Sequence, residues 1–167
     1  LKRMLILLAS NNKHMLLRWE QGLFGLFPTA VVHSFQPLTE RLGKLRPDIL
    51  LLDYALPGLK NQQSINELIN LAMETKIVIF SSGFSDDIEW RLLKIGVKGC
   101  CLSDLNAAQI KRVIDVISQG ELWFRRSLTN RILSELVKVT FEKNRIEQAV
   151  RDLLENLTRR EYEIAML

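Results

Sequence analysis

Asp53 closes an unbroken apolar run, Ile49-Leu50-Leu51-Leu52, and leads into Tyr54-Ala55-Leu56-Pro57-Gly58. A carboxylate directly behind a buried segment costs desolvation unless it has partners or a task. Capping the loop before Pro57-Gly58 is the plain structural task. Polar residues close three further apolar runs: Ser10 and Asn11 after 4–9, Ser81 and Ser82 after 76–80, and Ser103 after 98–102. Neither His14 nor His33 has an evident Ser or Cys partner, and no P-loop or dinucleotide fingerprint occurs. The chain therefore does not read as an enzyme. Cys100 and Cys101 are adjacent, so on a strand they point to opposite faces and do not bridge. They lack metal-ligand spacing and fit two buried strand thiols in a reducing compartment.

These ends must be brought together by the elements that carry them. Residues 1–124 alternate apolar runs at 4–9, 30–35, 48–52, 76–80 and 98–102 with amphipathic stretches at 13–25, 37–43, 62–73, 86–95 and 107–117. Five strands alternating with helices imply βαβ crossovers and a parallel sheet. Leu50-Leu51-Leu52 and Ile77-Val78-Ile79-Phe80 are apolar throughout, as central strands covered on both faces must be. The expected fold is α/β, a doubly wound five-stranded sheet of flavodoxin-like order. In such sheets reactive residues gather beyond the carboxyl ends of the strands.

From 125 onward the periodicity changes. Ile132, Leu136, Val139, Lys143, Ile146, Val150, Leu153 and Leu157 recur at spacings of 4 and 3, broken only by Lys143, with no Gly or Pro from 128 to 155. This predicts a long linker helix over 125–156 with a coiled-coil seam, and a homodimer through Ile132, Leu136, Val139, Ile146, Val150 and Leu153. Packing of the stripe on the chain's own first domain is the bland alternative. Glu142 facing Glu147 of a second copy weighs against a parallel pair, and strand direction stays open.

The 167 residues are 47% hydrophobic and 25% charged, which suits a globular domain plus a smaller part. The apolar runs are too short to span a bilayer, and the basic, apolar start breaks at Ser10-Asn11-Asn12-Lys13, short of a signal peptide. A cytoplasmic protein without membrane contact is expected. The net charge of +4 forms no basic stripe, so charge alone does not indicate a nucleic-acid binder.

Pro47-Asp48-Ile49-Leu50-Leu51-Leu52-Asp53-Tyr54-Ala55-Leu56-Pro57-Gly58 resembles the phosphoacceptor segment of bacterial response-regulator receivers, the CheY-like fold. Ile77-Val78-Ile79-Phe80-Ser81 resembles their fourth strand and Val97-Lys98-Gly99-Cys100-Cys101-Leu102-Ser103-Asp104 their fifth. Leu157-Thr158-Arg159-Arg160-Glu161-Tyr162-Glu163-Ile164-Ala165 resembles the start of the LuxR-type helix-turn-helix of NarL/FixJ-like regulators, and Thr158 with Glu161 forms a capping box. The resemblance implies a receiver over 1–124, a linker over 125–156 and the opening of a DNA-binding domain over 157–167. It makes Asp53 the phosphoacceptor equivalent and Ser81 the switch hydroxyl.

Two departures follow from the same resemblance. The acidic pair that holds Mg²⁺ in the family reads Ser10 and Asn11 here, and the lysine that pairs with the phosphoryl oxygens reads Ser103. Magnesium prefers an oxygen shell with carboxylates, and a hydroxyl supplies no positive charge. Lys13 and Lys98 are read as a solvated first-turn residue and a residue at the wrong end of its strand. No cofactor is expected, and Mg²⁺ binding is expected to be weak or absent. The crevice either takes a small neutral ligand or hydrogen-bonds internally, with Asp53 accepting from Asn11 and Ser81. The resulting expectation is a transcriptional response regulator governed by dimerisation, a ligand or a protein partner such as a sensor kinase. DNA is a partner of the full-length protein but not of this chain, which stops before a recognition helix. The alternative is a pseudo-receiver interaction module that never reads DNA.

Overall fold

The structure, a computed structural model, describes residues 3–165, with the side chains from 157 onward outside that description. The capping box of Thr158 and Glu161 and the seam position Leu157 therefore lie outside the described side chains.

Five strands and five helices alternate: β1 (Ile6–Ala9), α1 (Lys13–Leu23), β2 (Thr29–Val32), α2 (Phe35–Leu45), β3 (Ile49–Asp53), α3 (Gln62–Leu71), β4 (Lys76–Ser81), α4 (Asp86–Ile95), β5 (Gly99–Leu102) and α5 (Ala107–Ser118). All strand pairs are parallel, in the order β2-β1-β3-β4-β5. This is the flavodoxin-like doubly wound sheet. Alternation along β3 explains its apolar run: Ile49 and Leu51 enter a core with Met15, Trp19, Ile110 and Ile114 of α1 and α5. Leu50 and Leu52 enter the opposite core with Leu38, Leu42, Ile65, Leu68 and Leu92 of α2, α3 and α4. Cys101 belongs to the first core and Cys100 to the second, so the adjacent thiols are free and face opposite sides of the sheet.

Asn12, Asn61, Ser85 and Asn106 cap α1, α3, α4 and α5 with side-chain acceptors, which satisfies donors the helices cannot pair internally. The α1–α5 packing is close enough that a Cβ on Gly22 would sit 2.7 Å from the Ala107 carbonyl oxygen. Several boundaries differ from the sequence expectation by one to three residues, and the clearest case is the junction of β2 and α2. β2 ends at Val32 rather than 35, and α2 starts at Phe35 rather than 37. Pro37 fits inside the first helical turn because donors there need no intrahelical partner.

Residues 121–125 return along β5. Trp123 N–H donates to the Lys98 carbonyl at 3.0 Å and its own carbonyl accepts from Cys100 N–H at 2.8 Å. Arg125 then closes on α4: Nε meets Oε2 of Glu89 at 2.6 Å, the backbone N–H meets Oε1 at 3.1 Å, and the terminal guanidinium nitrogen reaches Asp86 and the Phe84 carbonyl. Glu89 is fully buried, and a buried carboxylate needs that cation.

The chain divides into two units, with the boundary after Arg125. The second is α6 (Arg126–Ala165), one helix of 40 residues. Its backbone is helical through 158, so the separate helix start expected at Thr158 is absent; no Gly or Pro interrupts the stretch. Leu136, Val139, Ile146, Val150 and Leu153 are all exposed on it. Among the described residues, no helix is long and apolar enough to cross a membrane.

Arg125→Ala should lower unfolding stability by about 2–3 kcal/mol, because Glu89 would remain buried without its cation; a shifted urea midpoint at constant m-value measures this. Burial, with Glu89 as a lesser contributor, pushes the Cys101 thiol up to about 12 from its ordinary value of 9.0. Burial raises Cys100 as well. Above pH 9 the unfolded chain thus releases protons that the folded chain retains. Stability should fall between pH 9 and 12, approaching roughly 1.4 kcal/mol per pH unit for each thiol. A Cys100→Ser, Cys101→Ser variant should show a shallower loss in denaturant titrations across that range.

Candidate functional site at the carboxyl ends of the strands

The central strands β1 and β3 are neighbours, and the chain winds away from them in opposite directions, which leaves a crevice beyond their carboxyl ends. Its volume is about 620 Å³, and its lining includes Asn11, Asn12, Asp53, Tyr54, Ser81, Ser82 and Ser103. Five of the residues singled out in the sequence, Asn11, Asp53, Ser81, Ser82 and Ser103, line this space together. Ser10 lies fully buried behind it.

Asp53, the last residue of β3, is only 5% exposed. Its Oδ2 accepts from Ser10 Oγ at 2.7 Å and its Oδ1 from Ala55 N–H at 2.9 Å. Ser10 follows β1 and is held on every side. Its N–H donates to the Val32 carbonyl, its carbonyl accepts from His33 Nδ1, and its hydroxyl accepts from Asn12 N–H while donating to Asp53. The expected acceptor role of Asp53 is therefore present with different partners. Asn11 is exposed and makes no bond to it, because the strand exit turns the neighbouring Ser10 inward instead. Ser81 Oγ turns to its own loop, donating to the Gly83 carbonyl at 2.9 Å and accepting from Gly83 N–H at 3.3 Å.

The donor set does not suit magnesium. Among the described residues, Asp53 is the sole carboxylate lining the crevice, and one of its oxygens already accepts from the Ser10 hydroxyl. Among the described residues, no group of three or more His, Cys, Asp or Glu side chains is placed to hold a metal ion.

Arg18 went unnoticed in the sequence. It stands one helical turn from Met15 and from Gly22 on α1, and its terminal guanidinium nitrogen donates to the Ser103 carbonyl at 2.5 Å. Its buried Nε has no hydrogen-bond partner among the described residues. The signal was the helical spacing of residues 15, 18 and 22, which directs one side of α1 toward α5 and the loop before it. Lys13 is exposed at the start of α1, and Lys98 precedes β5, at the opposite end of the sheet from the crevice.

No protein-family model matches the chain. It is similar to the transcriptional regulatory protein DegU of Brevibacillus brevis, 24% identical over 135 residues that make up 77% of this chain and 57% of that protein. It is also similar to LiaR of Bacillus subtilis, 27% identical over 74% of this chain and 55% of that protein, and to the nitrate/nitrite response regulator NarL of Escherichia coli, 26% identical over 69% and 55%. The chain thus spans little more than half the length of these relatives. Among solved structures, the isolated REC domain of RcsB from Salmonella enterica aligns with a TM-score of 0.66 at 17% identity, covering 78% of this chain and 98% of that one. A LuxR-family two-component response regulator from Aurantimonas aligns with a TM-score of 0.65 at 17% identity, covering 81% and 99%.

The fold is that of receiver domains. Within it, Asp53 and Ser81 end β3 and β4 at one side of the sheet, and Ser10 and Ser103 follow β1 and β5 there. The likenesses are to proteins named as transcriptional regulatory proteins and response regulators, and they carry no functional assignment of single residues.

Ser10→Ala should cost about 1–2 kcal/mol, since it strips a buried carboxylate oxygen of its donor. Ser81→Ala should stay within about 0.5 kcal/mol, because that hydroxyl serves only its own exposed loop. Urea midpoints of the two variants, compared side by side, decide the matter; equal losses would contradict the geometry.

Proposed function

We propose that residues 1–124 form the receiver of a DNA-binding transcriptional response regulator that is governed by association rather than by Mg²⁺-dependent phosphorylation of Asp53. The single observation carrying this reading is the pairing of Asp53 with Ser10 Oγ and Ala55 N–H, in a crevice that holds no second carboxylate among the described residues. Phosphoryl transfer depends on cations that neutralise charge developing on the transferred group. Ser10 and Asn11 supply no anchors for a divalent ion, and Ser103 supplies no amine. In this reading the receiver stays in one state, and control passes to a second copy of the chain, a small ligand or a regulatory protein.

Residues 125–156 serve as the linker and the homodimerisation element, through Ile132, Leu136, Val139, Ile146, Val150 and Leu153. Supporting this is the row of apolar side chains exposed along α6, since a contiguous exposed apolar surface marks an interaction site. Residues 157–167 carry the opening sequence of a LuxR-type helix-turn-helix, and base-specific DNA contact belongs to a later recognition helix.

Incubation with Mg²⁺ and acetyl phosphate, followed by intact mass measurement, should leave the native chain unmodified. A variant carrying Ser10→Asp, Asn11→Asp and Ser103→Lys should acquire a phosphoryl group under the same conditions. Rapid stoichiometric phosphorylation of the native chain would overturn the reading.

A further inference from the structure

The charges and flanking residues of the α6 seam favour one direction of pairing. In heptad terms, Ile132, Val139, Ile146 and Leu153 hold d positions, and Leu136, Lys143 and Val150 hold a positions. Leu136, Val139, Ile146, Val150 and Leu153 are between 51% and 63% exposed. Two more exposed leucines, Leu133 and Leu154, fall at e positions beside the seam, while Thr140 and Glu147 hold the other two e positions.

A parallel pair sets each core residue against itself. Lys143 would share one layer with Lys143 of the second copy, placing two cations in the seam. Glu142 at g would face Glu147 at e, a like-charge pair on both flanks. Leu154 would face only Ala149.

Reversing one helix changes every neighbour. With the two-fold axis between residues 144 and 145, all apolar seam residues between 136 and 153 overlap. Leu136 packs against Leu153, Val139 against Val150, and Lys143 against Ile146. Reversal also makes flanking positions meet like with like, e with e and g with g. Leu133 then faces Leu154, so these two flanking leucines cover one another. Glu147 faces Thr140 and Glu142 faces Ala149, which removes the acidic clash and separates the two lysines into different layers.

We propose that α6 pairs with α6 of a second copy as an antiparallel coiled coil in this register. The proposal rests on the reading of α6 as the dimerisation element and adds its direction and partner residues.

The test uses the full chain with single exposed cysteines, Leu136→Cys or Leu153→Cys, the native thiols being buried. After mild oxidation, an equimolar mixture should form a disulfide between positions 136 and 153, identified by peptide mass. Leu153→Cys alone should not cross-link, because the two copies of that position lie roughly 25 Å apart along the axis. A 153-to-153 cross-link in the single variant overturns antiparallel pairing and leaves dimerisation through α6 standing. Sedimentation of the native chain as a single-chain species at micromolar concentration overturns both. A dimer in which neither sample cross-links places self-association away from the seam and overturns both as well.

Discussion

The hydrogen bond from Ser10 Oγ to Asp53 Oδ2 ties the ends of the two central strands where the chain reverses its winding direction. A buried carboxylate must be neutralised, coordinated or hydrogen-bonded, and here hydrogen bonding alone meets the need. Ser10 can do this because its backbone is fixed by Val32 and its hydroxyl is oriented by the Asn12 N–H. The same Asn12 caps α1. A capping residue, a strand terminus and the central carboxylate are thus linked in one small network, and the crevice floor takes its shape from it.

The periphery of the sheet is held differently. Arg125 meets the buried Glu89 from the end of the returning segment, so the last residues before α6 are bound to α4 and to the edge of β5. Arg18 reaches the Ser103 carbonyl and anchors the loop after β5. Both arginines join segments distant in sequence, Arg18 through one terminal nitrogen and Arg125 as a fork, a role that a flexible, compact ammonium fills less well. The proposed shift of control from phosphate chemistry to association is consistent with a crevice in which Asp53 and Ser81 are already hydrogen-bonded within the chain. It also gives α6, with its exposed apolar row, the larger share of the function.

Local pattern was enough wherever one physical rule dominated. Apolar continuity in Leu50-Leu51-Leu52 and Ile77-Val78-Ile79-Phe80 required strands covered on both faces, and the alternation with amphipathic stretches required parallel crossovers. The absence of Gly and Pro after 125 required a long helix. At 158 the same kind of reasoning failed. A capping-box pattern is a local preference of about 1 kcal/mol, and the helical backbone runs through it.

The sequence by itself determined the strand count, the winding, the gathering of Asp53, Ser81 and Ser103 at one end, and the uncharged side chains of Ser10 and Asn11, because periodicity and residue type act locally. Tertiary structure alone decided which of these groups touch. Ser10 rather than Asn11 or Ser81 meets Asp53, and Arg18 rather than Lys13 or Lys98 reaches the Ser103 loop. Hydrogen bonds depend on direction and on distances of tenths of an ångström between residues as much as 85 positions apart. That geometry exists only once the strands have been laid side by side.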